Sequence, residues 1–92
     1  MQATAELQVI PLGNGVSVRK EVMQVMDVLA DYPLKMETHA SGTNLEGDMN
    51  VLLDAVSKVH ETLHEAGSVR LLSYLKLETR TDKLPTLEGK RL

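Results

Sequence analysis

The first regular pattern along the chain is an alternation of apolar and polar positions over residues 3–10. A two-residue period predicts a β-strand with one face against a core. The turn-forming sequence PLGNG at 11–15 predicts the end of this strand. The face predicted to meet the core is aliphatic, with Ala3, Ala5, Leu7 and Val9.

Residues 17–31 change to a helical period. Ser17 is a natural N-cap at the start of this segment, and Tyr32-Pro33 predicts its end. The apolar face of this predicted helix contains Val18, Val22, Val25, Met26 and Leu29.

A second helix is predicted after Gly47, with Asp48 as its N-cap and Gly67 as its C-cap. Apolar residues again recur at spacings of three and four, as on one face of a helix. The face predicted to pack on a sheet contains Met49, Leu52, Leu53, Val56, His60 and Leu63.

Three more segments alternate and predict strands: residues 34–40, 43–46 and 69–79. Ser41-Gly42 predicts a hairpin turn between the first two. In the last strand, the side predicted to face the helices contains Val69, Leu71, Ser73, Leu75 and Leu77. The polar segment that follows, residues 82–92, has room for one helical turn.

The element order β-α-β-β-α-β predicts a single α+β domain over residues 1–92. Short connections and two helices for one sheet favour the ferredoxin-like sandwich, a four-stranded antiparallel sheet with both helices on one face. The other face would mix polar and apolar side chains, which is typical of a surface that meets a ligand or another subunit. That open face is predicted to carry Glu6, Gln8, Ile10, Lys35, Glu37, His39, Leu72, Tyr74 and Lys76.

Composition narrows the class of partner. The net charge is −3, the chain has no Phe, Trp or Cys, and only two residues are aromatic. Without a basic stripe or aromatic platforms, nucleic acid is disfavoured as a partner. The sequence contains neither a signal-peptide pattern nor an apolar run of about 20 residues, so we expect a soluble cytoplasmic protein without membrane contact.

The most conspicuous short motif is HETLH at 60–64, which matches the H-E-x-x-H pattern of zinc metalloproteases. His60 and His64 would lie on one side of the second helix, as zinc ligation requires. However, His60 falls in the apolar stripe, and the remaining histidine, His39, is predicted on the hairpin. We therefore expect a partly buried, hydrogen-bonded His60, a His64 near solvent, and no metal site or catalytic centre.

Two loops carry weaker signals. The segment PLGNGVSV at 11–18 resembles a phosphate-binding loop before a helix, but it lacks both G-x-G-x-x-G and the Walker lysine. A turn that needs glycine at positive φ is the simpler interpretation. The hairpin sequence THASGTNLEG at 38–47 gathers polar side chains that turn formation alone does not require, so ligand contact there remains open.

Four segments together resemble a known family, the small thiamine-binding proteins related to the YkoF-like hydroxymethylpyrimidine-binding proteins. They are VIPLGNGVSV (9–18), HASGTNLEG (39–47), VHETLHEAGSVRL (59–71) and KLETRTDKLPTLEGK (76–90). The resemblance implies a ferredoxin-like fold that forms homodimers and homotetramers through its sheets. It also implies non-catalytic binding of thiamine or its pyrimidine moiety, without a cofactor. Longer members continue into a C-terminal helix after the segment that matches 88–90, so contacts made by that helix are not carried over to this chain.

An aminopyrimidine offers a ring acceptor and an amino donor, and thiamine adds a permanent cation. We hypothesise that Glu37 or Glu46 contacts the pyrimidine edge or the cation, and that Tyr74, or Ile10 with Leu72, packs on the ring. The other polar contacts are assigned to Gln8, Ser17, Thr43 and His39. The alternatives are a structural or regulatory homo-oligomer with a protein partner and no small ligand, and a small enzyme using His39 or the histidine pair.

Overall fold

A computed structural model describes residues 1–13, 15 and 18–91. The element order predicted from the sequence is confirmed, and a short 3-10 helix lies near the C-terminus. The strands are β1 Gln2–Leu12, β2 Lys35–His39, β3 Gly42–Asp48 and β4 Arg70–Glu78, the helices are α1 Arg19–Ala30 and α2 Met49–Glu65, and the 3-10 helix is Glu88–Lys90.

The four strands form one sheet in the order β2-β3-β1-β4, with every neighbouring pair antiparallel. This confirms the ferredoxin-like α+β fold. Because directly paired residues share a face, the register can be followed across the whole sheet. One row on the face away from the helices consists of Glu37, Asn44, Glu6 and Lys76.

The core lies between the sheet and the two helices, and it is aliphatic as the composition predicts. Burial of these side chains supplies the main favourable term in folding, at about 25 cal/mol per Å² of apolar surface. The largest fully buried side chains are Leu7, Leu29, Leu45, Leu52, Val59 and Leu63.

Helix α2 is rotated relative to the predicted face. Ala55 and Val59 are fully buried, whereas Leu53 is 41% exposed, so its placement in the core was wrong. At its N-terminus, Asp48 accepts hydrogen bonds from the backbone N–H groups of Asn50 and Val51, which confirms it as the N-cap.

Other boundaries differ from the sequence prediction. Helix α1 starts at Arg19, and its N-cap residue is Val18, which makes no side-chain capping bond, so the assignment of that position to Ser17 was wrong. Ser17 itself lies outside the described residues. Val69 is 89% exposed and precedes β4 instead of packing inside it. The C-cap of α2 is Ala66, so the assignment of that position to Gly67 was wrong by one residue. Gly67 follows it with a φ of +110°, the position where glycine commonly ends a helix.

Candidate ligand-binding site

A cavity of about 380 Å³ lies between the N-terminal half of α1 and the β2–β3 hairpin. We call it the hairpin cavity. Its volume falls within the range of about 300–1,000 Å³ that is usual for small-molecule sites. Much of its wall is aliphatic and includes Pro11, Val18, Val22, Val25 and Met26.

This cavity arises because the apolar stripe of α1 extends further along the helix than the core does. Val25, Val28 and Leu29 are buried in the core, but Val22 is 43% exposed. The short strand β2 ends at His39, opposite Gly42. The first turns of α1 therefore border an open apolar space beside the hairpin.

Two threonine hydroxyls point into the apolar interior of the hairpin cavity from the sheet. Thr38 Oγ1 donates to the sulfur of Met26 at 3.3 Å, and Thr43 Oγ1 donates to the same sulfur at 3.7 Å. A thioether is a weak acceptor, so a stronger acceptor on a ligand could replace it at little cost. Both threonines are paired across β2 and β3 and lie on the helix side of the sheet.

The rim of the hairpin cavity is polar and is organised by His39. The backbone N–H of Ser41 donates to Nδ1 of His39 at 3.3 Å, which assigns the ring proton to Nε2. Nε2 then donates to Asn44 Oδ1 at 3.1 Å and lies 3.3 Å from a carboxylate oxygen of Glu6. Gln8 lines the same cavity.

A second cavity, of about 700 Å³, lies on the opposite face of the sheet. We call it the sheet-face cavity. Residues 84–91, here called the C-terminal segment, cross this face and cover part of it, so the face is less open than the sequence predicts. Side chains that line the cavity include Glu6, Glu37, Lys76, Leu87, Lys90 and Arg91.

Polar contacts with the sheet hold the C-terminal segment in place. The backbone N–H of Leu87 donates to Glu46 Oε1 at 2.8 Å, and the Leu87 side chain is only 7% exposed. Arg91 pairs with Glu37, and Lys90 pairs with Glu78. Glu37 and Glu46, two predicted ligand contacts, are thus engaged by the chain itself.

We expect the C-terminal segment to loosen at acid pH. The hydrogen bond from Lys90 lowers the pKa of Glu78 below its ordinary value of 4.5. Because the folded pKa is depressed, the pair's contribution is complete above the ordinary pKa and is lost as the pH falls through the lowered one. Backbone ¹⁵N relaxation of residues 88–91 should report rigid backbone at pH 7 and increased motion once the pH has fallen through the lowered pKa of Glu78.

The substitution Glu78→Gln should increase that motion already at pH 7, whereas Glu65→Gln, on an exposed position of α2, should not change it. Relaxation rates in Glu78→Gln that equal those of the parent protein at pH 7 would contradict an electrostatic attachment.

The predicted site residues are divided between the two cavities. Gln8, His39 and Thr43 line the hairpin cavity, whereas Glu37 lines the sheet-face cavity and Glu46 binds the C-terminal segment beside it. Ser17 lies outside the described residues. The assignment of these side chains to a ligand stays a prediction.

Sequence reasoning missed Thr38 and Met26. In the alternating segment 34–40, Thr38 falls on the same side as Leu34 and Met36, and this alternation is the signal that could have found it. Met26 was counted as core, because an apolar residue in a helical stripe carries no sign that a polar group will contact it.

The histidine pair of HETLH has a structural explanation. His60 is half-buried, and its Nε2 is 2.6 Å from Ser73 Oγ, which confirms the predicted satisfied ring nitrogen. His64 is exposed, and its Nδ1 donates to the carbonyl of Ser68 at 2.7 Å. Within residues 1–13, 15 and 18–91, no group of three or more His, Cys, Asp or Glu side chains has metal-binding geometry.

The described helices also bear on membrane contact. Neither α1 nor α2 combines the length and the apolar character that a transmembrane helix would need.

The fold and the two cavities define the class: a small α+β domain with a cavity on each side of its sheet. Residues 5–91 match the family model described as Thiamine-binding protein. The chain therefore belongs to this family.

Individual relatives agree with this assignment. A UPF0045 protein of Synechocystis is 42% identical over 98% of this chain and 74% of its own length. A crystal structure from Methanocaldococcus jannaschii is 43% identical and superposes with a TM-score of 0.91, covering 97% of this chain and 91% of that one. A Thermotoga maritima protein, proposed to act in thiamine biosynthesis or salvage, shares the fold at 19% identity, with a TM-score of 0.87 over 98% and 95% of the two chains.

Proposed function

We propose that this protein is a non-catalytic binding protein for thiamine or its hydroxymethylpyrimidine moiety, and that the hairpin cavity holds the pyrimidine. The observation that carries this proposal is the pair of threonine hydroxyls, Thr38 and Thr43, whose acceptor inside an aliphatic cavity is the weakly accepting Met26 sulfur. Membership of the thiamine-binding family supports a small molecule as the ligand.

The chemistry of the cavity matches an aminopyrimidine. A threonine hydroxyl can donate to a ring nitrogen or accept from the exocyclic amino group, and the Gln8 amide can do both. Aliphatic side chains such as Val22 and Val25 would contact the faces of the ring. The structure does not bring Tyr74 to this cavity, so aliphatic packing takes the place of aromatic stacking.

The thiazolium cation of thiamine would lie at the rim of the cavity. His39 lines this rim, and Glu6, which itself lines the sheet-face cavity, has a carboxylate oxygen 3.3 Å from His39 Nε2. A carboxylate next to a rim residue would attract a cation at the rim without either group being buried. Ser17 is a further candidate contact, because the adjacent residue Val18 lines the cavity.

The hydrogen bonds of His39 favour binding over catalysis. Its Nδ1 accepts from a backbone N–H of the hairpin and its Nε2 donates to Asn44, so both ring nitrogens are engaged in holding the turn. Catalysis by a histidine base requires a free nitrogen within reach of a proton to be moved. We therefore assign His39 a role in shaping the rim of the hairpin cavity, and no role as a catalytic base.

The proposal includes a homodimer or homotetramer formed through the sheet. Leu72 is 42% exposed and Tyr74 is 59% exposed on the part of β4 beyond the C-terminal segment. Exposed apolar groups of this kind also favour the alternative function, an oligomer that binds a protein partner and no small ligand. In light scattering, Leu72→Lys should have a lower molar mass than the parent protein if the sheet forms the oligomer. A ligand titration then separates the two functions, because only the binding protein responds to the ligand.

The ligand is tested by isothermal titration calorimetry of purified protein with thiamine and, separately, with hydroxymethylpyrimidine. Saturable binding of one molecule per chain is expected for at least one of the two. An absence of heat with both, together with no change in melting temperature, would contradict the proposed function, because a ligand of the folded state must raise that temperature.

Thr43→Val should weaken this binding about threefold to tenfold, since one hydrogen bond contributes about 0.5–1.5 kcal/mol and 1.4 kcal/mol is a factor of ten. Valine has the same shape as threonine, so the fold should be retained. Thr81→Val, on an exposed position away from both cavities, is the matched control and should bind as the parent protein does. Equal affinities in the two variants would remove Thr43 from the site.

A further inference from the structure

The sheet-face cavity contains an unusual buried hydroxyl. Thr4 is on the face of β1 that points away from the helices, yet it is only 2% exposed. Its Oγ1 is buried without a hydrogen-bond partner among the described residues, and Thr4 lines the cavity. A buried polar group without a partner costs stability, so its presence requires an explanation.

The charges around this hydroxyl are balanced in number but not all are paired. Glu37 pairs with Arg91, Glu78 pairs with Lys90, and Glu6 lies beside His39. Lys76 is directly opposite Glu6 in the sheet register but makes no ion pair within the described residues. The cavity thus retains a free cation.

An additional donor lies in the same row of the sheet. Asn44 uses its Oδ1 to accept from His39, which leaves its amide nitrogen free of partners within the described residues. Asn44 and Lys76 flank Glu6 from opposite sides in the register, so each offers a donor to the cavity next to the Glu6 carboxylate. A ligand carboxylate could accept from Lys76 or from Asn44.

We propose that the sheet-face cavity is a second binding site, separate from the hairpin cavity, and that it takes a small zwitterionic α-amino acid. The ligand carboxylate would accept from Lys76, the cation without an ion pair within the described residues, and the ammonium would lie near the carboxylate of Glu6. Thr4 Oγ1 would gain the partner it lacks by hydrogen bonding to the ligand. The C-terminal segment would close the site with Leu87.

The charge balance excludes other ligand classes. Three carboxylates line the cavity, so a phosphate dianion would meet strong repulsion. Three cations line it as well, which disfavours a simple amine. An apolar molecule would leave these polar groups without water and without partners. A ligand with one positive and one negative charge can pair with both the carboxylates and the cations of the cavity.

The experiment is a thermal-shift screen of the intact protein with each of the twenty L-amino acids at up to about 10 mM, followed by calorimetry. Acetate, methylamine and inorganic phosphate serve as probes of one charge only. At least one amino acid should raise the melting temperature, and the three single-charge probes should not. Either no response to all twenty, or an equal response to acetate or phosphate, would overturn the proposal.

Two variants identify the site. Thr4→Val and Lys76→Gln should each weaken binding of the responding amino acid at least about fivefold, with Lys58→Gln on the exposed side of α2 as control. Thr4→Val should also raise the melting temperature of the unliganded protein, because it removes an unpaired buried hydroxyl. Unchanged amino-acid affinity in both variants would overturn the site, whether or not the protein binds thiamine.

Discussion

Replacing Gly42 by alanine is expected to lower the free energy of unfolding by about 2–4 kcal/mol, a large part of the stability of a small domain. Gly42 is the first residue of β3 and lies against β1. A Cβ atom at this position would be 2.6 Å from the backbone oxygen of Leu7 and 3.3 Å from its carbonyl carbon. Backbone atoms of a central strand cannot move aside as the end of a side chain can, so the two strands must separate.

Gly67→Ala is the matched control for this prediction. Gly42 and Gly67 both have a positive φ, +157° and +110° respectively. At Gly67, however, an added Cβ would have no neighbour within 4 Å. Its cost should be that of the backbone conformation alone, about 1–2 kcal/mol. Urea unfolding followed by circular dichroism measures both. Equal losses in the two variants would show that contact with Leu7 has no role.

The position of Gly42 also connects stability to the candidate site. Gly42 and Thr43 both line the hairpin cavity, and separation of β3 from β1 would move the Thr43 hydroxyl away from Met26. We therefore expect Gly42→Ala to weaken ligand binding as well, even at temperatures where the variant is folded.

The element order could be predicted because hydrophobic period is a local property. Each strand and helix covers the same core, so each shows its own two-residue or helical repeat. The boundaries were less accurate where a local signal competed with pairing. Pro11 looks like part of a turn, but it lies within β1 opposite Leu71. Pairing with β4 extends β1 as far as Leu12.

The candidate site was harder to predict because it lies where the apolar stripe of α1 extends beyond the sheet and the core that cover the rest of it. Val22 and Val25 look equivalent in the sequence, yet Val25 is 7% exposed and Val22 is 43% exposed. The difference is set by the length of β2 and the position of the hairpin, which no local pattern encodes.

The path of the C-terminal segment was also beyond sequence reasoning. Its contacts join residues far apart in the chain: Leu87 with Glu46, and Arg91 with Glu37. A polar segment gives no periodic signal for a surface that it crosses. As a result, two acidic residues that look available for a ligand in the sequence are engaged in the folded chain.

Filling the hairpin cavity is expected to abolish binding of thiamine and of hydroxymethylpyrimidine. Val22 lines this cavity from α1 and is already partly exposed, so Val22→Trp can enter the cavity without displacing core residues. The indole would occupy space that the pyrimidine needs. We expect affinity to fall at least about thirtyfold, which corresponds to about 2 kcal/mol.

Met23→Trp is the control, because Met23 is the next residue of α1, is 54% exposed and does not line the hairpin cavity. Both variants add the same large side chain to the same exposed helix, so a general effect of tryptophan on the fold would appear in both. Calorimetry should find binding lost in Val22→Trp and retained in Met23→Trp, with similar melting temperatures for the unliganded proteins. Retained binding in both would place the ligand elsewhere than the hairpin cavity. Binding of an amino acid to the sheet-face cavity should be unaffected by Val22→Trp, because the sheet separates the two cavities.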